Sequence, residues 1–239
     1  MNSTPAVVLL SGGVDSTVLL HHVARNLGHA PLHALSFNYG QRHSRELRCA
    51  EAQARAVTAA AHRIIDLSFL GPLLAPGSSL IAGGAEVPDL KDLSAQDLTQ
   101  PPTYVPNRNM MLLSMAAAYA EANGMLAVYY GAQAQDEYGY WDCTADFLRQ
   151  INQVLALNRK QAVTIHAPFV AKSKAETVRL GLDLGVDFAR TWSCYRGAEA
   201  PCRTCPTCVE RANAFAACGV PDPLEENAPR AMRIATDTQ

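Results

Sequence analysis

Leu9-Leu10-Ser11-Gly12-Gly13-Val14-Asp15-Ser16 decides how this chain is read, because an unbroken apolar run ends there in a Ser/Gly turn and a helical pattern starts at once. Pro5 to Leu10 has the continuous apolarity of a strand covered on both faces, whereas Thr17 to Leu27 sets Val18, Leu19 and Val23 at helical spacing. Two adjacent glycines let the backbone approach a ligand with no Cβ in the way. The helix that follows aims its unpaired N–H groups and positive dipole end at any anion held in the turn. Ser11 and Ser16 add hydroxyls, and Leu10 to Thr17 together form the candidate phosphate cradle. A plainer reading makes Asp15 and Ser16 helix caps only. Neither Gly-x-x-x-x-Gly-Lys-Ser/Thr nor Gly-x-Gly-x-x-Gly is present, so the turn is neither a Walker loop nor a dinucleotide fingerprint.

Outward from that turn, strand and helix patterns alternate. Strands are expected at His33 to Phe37, His62 to Asp66, Leu126 to Tyr130 and Val163 to His166. Helices are expected at Ser44 to Thr58, Asn107 to Asn123, Ala145 to Leu157 and Lys174 to Leu184. The expectation is an α/β fold: a five-stranded, mostly parallel sheet with helices on both faces. Residues 1–190 make this domain, within which the Pro- and Gly-punctuated stretch 69–106 is an irregular insertion or lid. Residues 191–223 hold four crowded cysteines, and 224–239 form a polar tail. In such sheets ligands sit beyond the carboxyl ends of the strands, which gathers the loops after Leu10, Phe37, Asp66, Tyr130 and His166 onto one rim.

Composition narrows the function. Of 239 residues 49% are hydrophobic, enough for a sizeable core, and 20 Lys+Arg against 22 Asp+Glu give a net charge of −2. That balance offers no general attraction to nucleic acid or to an anionic membrane. No apolar run reaches a bilayer's span, and the first residues lack the basic cluster of a secretory signal, so a cytoplasmic location is expected.

Cys194, Cys202, Cys205 and Cys208 follow a Cys-x7-Cys-x2-Cys-x2-Cys spacing. Two-residue gaps let the backbone curl so that successive thiolates converge on one ion, and four thiolates leave no open position, which implies a structural metal. Zinc is the favoured ion, although four thiolates alone leave an iron–sulfur cluster open. Cys49 and Cys218 read as small core residues, and Arg196, Arg203 and Arg211 as solvated flanks.

Other polar groups fall on the rim. Gln41, Arg42 and His43 follow the second strand, with Arg42 suited to phosphate. Arg108 stands where a helix begins. The stretch Gly131 to Cys143 mixes Asp136 and Asp142 with Tyr138, Tyr140 and Trp141, whose rings suit a planar heterocycle and whose carboxylates suit paired N–H groups. Lys172 and Lys174 open the last helix of the sheet, where a cation would stabilise departing pyrophosphate.

Ser-Gly-Gly-x-Asp-Ser resembles the pyrophosphate loop of the ATP pyrophosphatases. Tyr39-Gly40-Gln41-Arg42-His43, Tyr104 to Asn109, Gly139 to Cys143, Lys172 to Glu176 and the cysteine set extend the likeness to about Ala6 to Pro223. Over that span the chain is similar to the 7-cyano-7-deazaguanine synthases, ligases of the queuosine pathway. Two segments depart from that family's usual pattern: Asn107 stands where glycine is usual, and Trp141 and Thr144 where proline and arginine are. The resemblance implies an adenine nucleotide alpha hydrolase-like fold, a homodimer, structural zinc, and small-molecule partners rather than nucleic acid or membrane. It further implies that ATP with Mg2+ adenylates 7-carboxy-7-deazaguanine and then its amide, with ammonia as nitrogen donor. On this reading residues Leu10, Ser11, Gly12, Gly13, Val14, Asp15, Ser16 and Thr17 hold ATP, Asp15, Arg108 and Lys172 serve catalysis, and Gln41, Arg42, Asp136, Tyr140 and Asp142 meet the other substrates. A pyrophosphate-loop enzyme modifying a tRNA base, and a zinc knuckle that binds nucleic acid, are the alternatives; the net charge disfavours the first and the Ser-Gly-Gly turn the second.

Overall fold

The structure is a computed structural model and describes residues 3–42, 45–97, 99–134 and 139–226. Five parallel strands, β1 (Ala6–Leu9), β2 (Leu32–Asn38), β3 (Ala61–Asp66), β4 (Ala127–Tyr129) and β5 (Thr164–His166), make one sheet in the order β3-β2-β1-β4-β5. The helices are α1 (Val14–Arg25), α2 (Arg45–Ala56), the short α3 (Gly71–Leu74), α4 (Arg108–Ala122), α5 (Ala145–Leu155), α6 (Lys174–Asp183), α7 (Pro206–Ala217) and the short α8 (Pro223–Glu226).

Because side chains alternate across a strand, β1 feeds two cores. Ala6, Val8 and the following Leu10 pack with Val18 and Leu19 of α1, Val178 of α6 and Phe215 of α7. Val7 turns the other way, onto Leu112 and Leu113 of α4, Phe147 of α5, and Val128 and Ile165 of the neighbouring strands. The expected α/β sheet with helices on both faces is therefore what forms, and among the described strands it is wholly parallel. Helix α1 begins at Val14, earlier than the apolar spacing alone implies, because Gly13 occupies its N-cap in an extended conformation.

Chain order reverses at β1: β2 and β3 build to one side, β4 and β5 to the other. The loops leaving β1 and β4 thus diverge and open a crevice at the switch point.

Among its described residues the stretch 69–106 holds only the short α3 and isolated single turns of 3-10 helix, and it is well anchored. Leu80, Ile81 and Val105 form a small core of their own. Ser79 N donates to Pro102 O at 2.8 Å and Ala82 N to Gly40 O at 2.9 Å. Its far end meets the cysteine region, where Leu90 N donates to Thr204 O at 2.9 Å and Arg196 pairs with Asp89 at 2.6 Å. Among the described residues no helix is long and apolar enough to cross a membrane.

Candidate functional site

The turn after β1 is closed by its own donors. Ser16 Oγ accepts from Ser11 N at 3.2 Å and from Gly12 N at 3.3 Å, and lies 2.9 Å from Ser11 Oγ. Gly12 has φ of +91°, and a Cβ on it would stand 2.1 Å from Glu46 O and 2.7 Å from Ala50 N, so only glycine lets α2 approach this closely. The start of α1 at Val14, with its first-turn N–H groups and positive dipole end, stands directly behind this turn, the setting in which helices bind anions.

Beside them Lys174 Nζ donates to Asp15 Oδ2 at 2.6 Å. The Gln133 amide, oriented by its partners, donates to Asp15 Oδ1 at 3.3 Å and accepts from Lys174 Nζ at 2.8 Å. Lys174 is held at the first position of α6 by a complete capping box, in which Ser173 and Glu176 satisfy each other's backbone N–H.

From this cradle a cavity of about 280 Å³ runs across the rim, walled by Tyr39, Glu46, Arg108, Tyr140, Cys143 and Glu210 among others. Burial works against the charge of Arg108, but Tyr39, Cys143, Tyr195 and Asp142 more than offset it and hold the guanidinium firmly protonated. Desolvation pushes the Glu46 carboxyl up to about 8 despite the attraction of Arg108. Burial likewise raises Glu210, with the opposing pull of Lys174.

The residues singled out in the sequence separate into groups. Leu10, Ser11, Gly13, Val14, Asp15, Ser16, Gln41, Arg108 and Tyr140 all line the cavity. Gly12 does not line it and donates its N–H to Ser16 Oγ at 3.3 Å, and Thr17 is fully buried, its Oγ1 without a hydrogen-bond partner among the described residues. Arg42 does not line the cavity: its guanidinium donates to the carbonyls of Ser79, Gly84 and Ala85 and so pins the insertion. Lys172 is also absent from the wall, and the lysine that reaches the cradle is Lys174. Asp142 is buried behind the wall, where its carboxylate accepts from Asn109 N at 3.0 Å at the start of α4. Desolvation raises its pKa, opposed by Arg108 and that hydrogen bond. Asp136 lies outside the described residues, as do His43 and Tyr138.

The two departures have local explanations. Asn107 has φ of +54°, a left-handed conformation that asparagine tolerates best after glycine. Trp141 packs edge-on against Phe147 and donates to Tyr104 Oη at 2.7 Å, while Thr144 caps α5 by accepting from Phe147 N at 3.1 Å.

Sequence reasoning missed Glu46, Glu210 and the role of Arg211. Glu46 carries no local signal beyond that of an acidic residue in the first turn of α2. Arg211, read as a solvated flank, is 3% exposed and forms a paired contact with Asp222 at 2.7 and 2.9 Å, while also donating to Thr191 Oγ1.

The Sγ atoms of Cys194, Cys202, Cys205 and Cys208 lie within 4.8 Å of one another and could hold a metal ion. Cys205 is the N-cap of α7 and Cys208 lies in its first turn, where the helix dipole favours thiolate. Trp192, fully buried, bridges this cluster to the cradle: its indole donates to Cys194 O at 2.9 Å and its backbone N to Gly12 O at 3.0 Å.

A parallel sheet whose switch point opens on a Ser-Gly-Gly-Val-Asp-Ser turn, with a lysine–carboxylate pair beside it, defines a pyrophosphate-loop α/β enzyme. The family model described as queuosine biosynthesis protein QueC matches residues 5–219, and the chain belongs to that family. It is 44% identical over 220 residues to a 7-cyano-7-deazaguanine synthase of Archaeoglobus fulgidus, covering 92% of this chain and 89% of the relative. It is 45% identical over 218 residues to the synthase of Marinobacter nauticus, covering 91% and 95%. With that of Marinomonas sp. it shares 42% identity over 226 residues, covering 95% and 100%.

Proposed function

We propose that the chain is the ATP-dependent ligase that converts 7-carboxy-7-deazaguanine and ammonia to 7-cyano-7-deazaguanine by adenylating first the carboxylate and then the amide. The observation that carries this is the opening of the anion-binding turn at Ser11 to Ser16 into the same cavity as Arg108, Tyr140 and Cys143. One volume thus adjoins both the Ser-Gly-Gly turn and a pocket with aromatic and charged walls. A carboxylate resists ammonia because oxide is a very poor leaving group, whereas an acyl-adenylate releases AMP. The same activation lets the amide oxygen leave with AMP and yields the nitrile.

In this reading the turn from Ser11 to Thr17, with the first N–H groups of α1 and the hydroxyls of Ser11 and Ser16, takes the β- and γ-phosphates, and ATP enters with Mg2+. Lys174 meets the departing pyrophosphate, with Asp15 and Gln133 holding it in place. Arg108 faces charge growing on the reacting oxygens. Tyr140 and Gln41 border the planar acid.

The four cysteines would hold zinc. A Zn–S bond of about 2.3 Å in a tetrahedron sets sulfurs about 3.8 Å apart, consistent with Cys202 Sγ and Cys208 Sγ at 3.9 Å. A cubane cluster would need a wider cage. Four protein ligands would close the ion off from solvent, so that it would act by holding the fold. A cytoplasmic homodimer completes the proposal.

Incubation with ATP, ammonium and 7-carboxy-7-deazaguanine should give AMP, pyrophosphate and the nitrile mass. ADP as the nucleotide product, or no nitrile, would overturn it.

A further inference from the structure

Four carboxylates lie in or directly behind the cavity wall, and two are committed. Asp15 is bound to Lys174 and Gln133, and Asp142 to the start of α4. Glu210 stands at the Asp15–Lys174 end, within electrostatic reach of both. Glu46 differs. It lines the cavity from the first turn of α2, and among the described residues it makes no hydrogen bond or ion pair. The groups facing it are Arg108 from α4, Tyr39 from the loop after β2 and Cys49 from its own helix. Its helix is fixed against the turn after β1, because Glu46 O lies where a Cβ on Gly12 would be. An acid held rigidly in a cavity wall, facing Arg108 and with neither oxygen hydrogen-bonded among the described residues, is placed to exchange a proton with whatever occupies that cavity.

We infer that Glu46 is the base that deprotonates the nitrogen donor. This rests on the ligase reading above. At neutral pH ammonia is almost wholly ammonium and has no lone pair to give. Glu46 accepts one proton from ammonium; the freed lone pair forms the C–N bond to the acyl carbon, and the C–O bond to AMP breaks with its electron pair leaving on AMP. The second surplus proton on nitrogen, and later the one stored on Glu46, pass to water. Only the ionised form of Glu46 accepts the proton; desolvation raises its affinity for protons to near 8, so that form gains population as pH rises toward 8, and its conjugate acid lies closer to ammonium than that of an ordinary glutamate.

The test uses the full-length enzyme and Glu46→Gln, with three readouts. Pyrophosphate exchange into ATP, dependent on 7-carboxy-7-deazaguanine, reports adenylation. Nitrile formed from ammonium reports the complete reaction. Hydroxamate formed from hydroxylamine, which is unprotonated at neutral pH, reports attack by a donor that needs no base. In Glu46→Gln exchange and hydroxamate should stay within about threefold of wild type while nitrile falls about 100-fold or more. Glu46→Asp, which keeps the acid, should recover part of the loss and guards against a folding defect, which bound metal and the melting temperature would reveal. Equal loss of nitrile and hydroxamate, or no loss of nitrile, overturns the role of Glu46. Absence of exchange in the wild-type enzyme instead overturns the ligase reading itself.

Discussion

At the scale of single residues, Gly12 and Glu46 show how one close approach serves two purposes. Gly12 lets the start of α2 press on the cradle, and that contact carries Glu46 into the cavity wall. Gly12→Ala puts a methyl about 2.1 Å from a backbone oxygen, where nothing flexible can yield. Loss of measurable ATP binding and a destabilisation of about 3 kcal/mol or more in urea unfolding are expected, combining the clash with an unfavourable positive φ. Glu46 makes an opposite prediction for stability. Its folded pKa, raised by desolvation to about 8, lies above the ordinary carboxylate range, so its contribution to stability is complete below the unfolded pKa. That contribution is lost as pH rises through about 8, since a charge must then sit in a poorly solvated wall. Glu46→Gln should consequently melt several degrees higher than wild type at pH 9 and close to it at pH 4, by differential scanning calorimetry. A variant less stable than wild type at pH 9 would mean the carboxylate is better solvated or paired than its surroundings indicate.

At the scale of elements, helix starts govern the site. α4 begins after Asn107, whose left-handed backbone turns the chain so that Arg108 enters the cavity. Asn107→Ala should cost about 1–2 kcal/mol in urea unfolding, and Asn107→Gly close to nothing, because the strain belongs to Cβ. α6 begins with a capping box, and Ser173→Ala should cost about 1 kcal/mol while raising KM for ATP, since Lys174 loses its fixed origin. Much of this was readable: Ser173-x-x-Glu176 marks the start of α6 and so marks Lys174, rather than Lys172, as the first helical lysine. Helix and strand identities followed from apolar periodicity, which burial imposes locally. What periodicity could not convey was tertiary approach. Nothing near Glu46 or Arg211 in the chain announces burial, because α2 and α7 are brought to the cavity by contacts more than a hundred residues apart along the chain, such as Gln53 Nε2 with the carbonyls of Asp187 and Arg190 at 2.9 and 3.1 Å. The guanidinium of Arg42 was likewise legible as a cation on the rim, while its carbonyl partners belong to an insertion whose path the sequence does not encode locally.

At the scale of the whole molecule, the cysteine cluster and the cradle form one mechanical unit. Trp192 links Cys194 O to Gly12 O, Arg45 stacks on its ring at 4.2 Å, and Arg211 joins α7 to Asp222 in a buried pair. Thr207 Oγ1, between two of the cysteines, donates to Ser193 O at 2.8 Å, so the chain from Thr191 to Ser193 is fastened from both sides. Removing the metal should therefore disturb phosphate binding at a distance. Holding four thiolates without an ion costs several kcal/mol, and Cys205→Ser or prolonged chelation should lower the melting temperature by about 10 °C or more. Affinity for ATP should fall in the same titration, because the hydrogen bond that fixes Gly12 O is lost with the order of Trp192. Lys174→Ala supplies the contrast: it removes a cation from the cradle and should weaken ATP binding at least tenfold with a melting temperature within a few degrees of wild type. If metal-depleted protein bound ATP as tightly as the untreated enzyme at temperatures where it stays folded, the cluster and the cradle would be independent, and the Trp192 bridge would be packing alone.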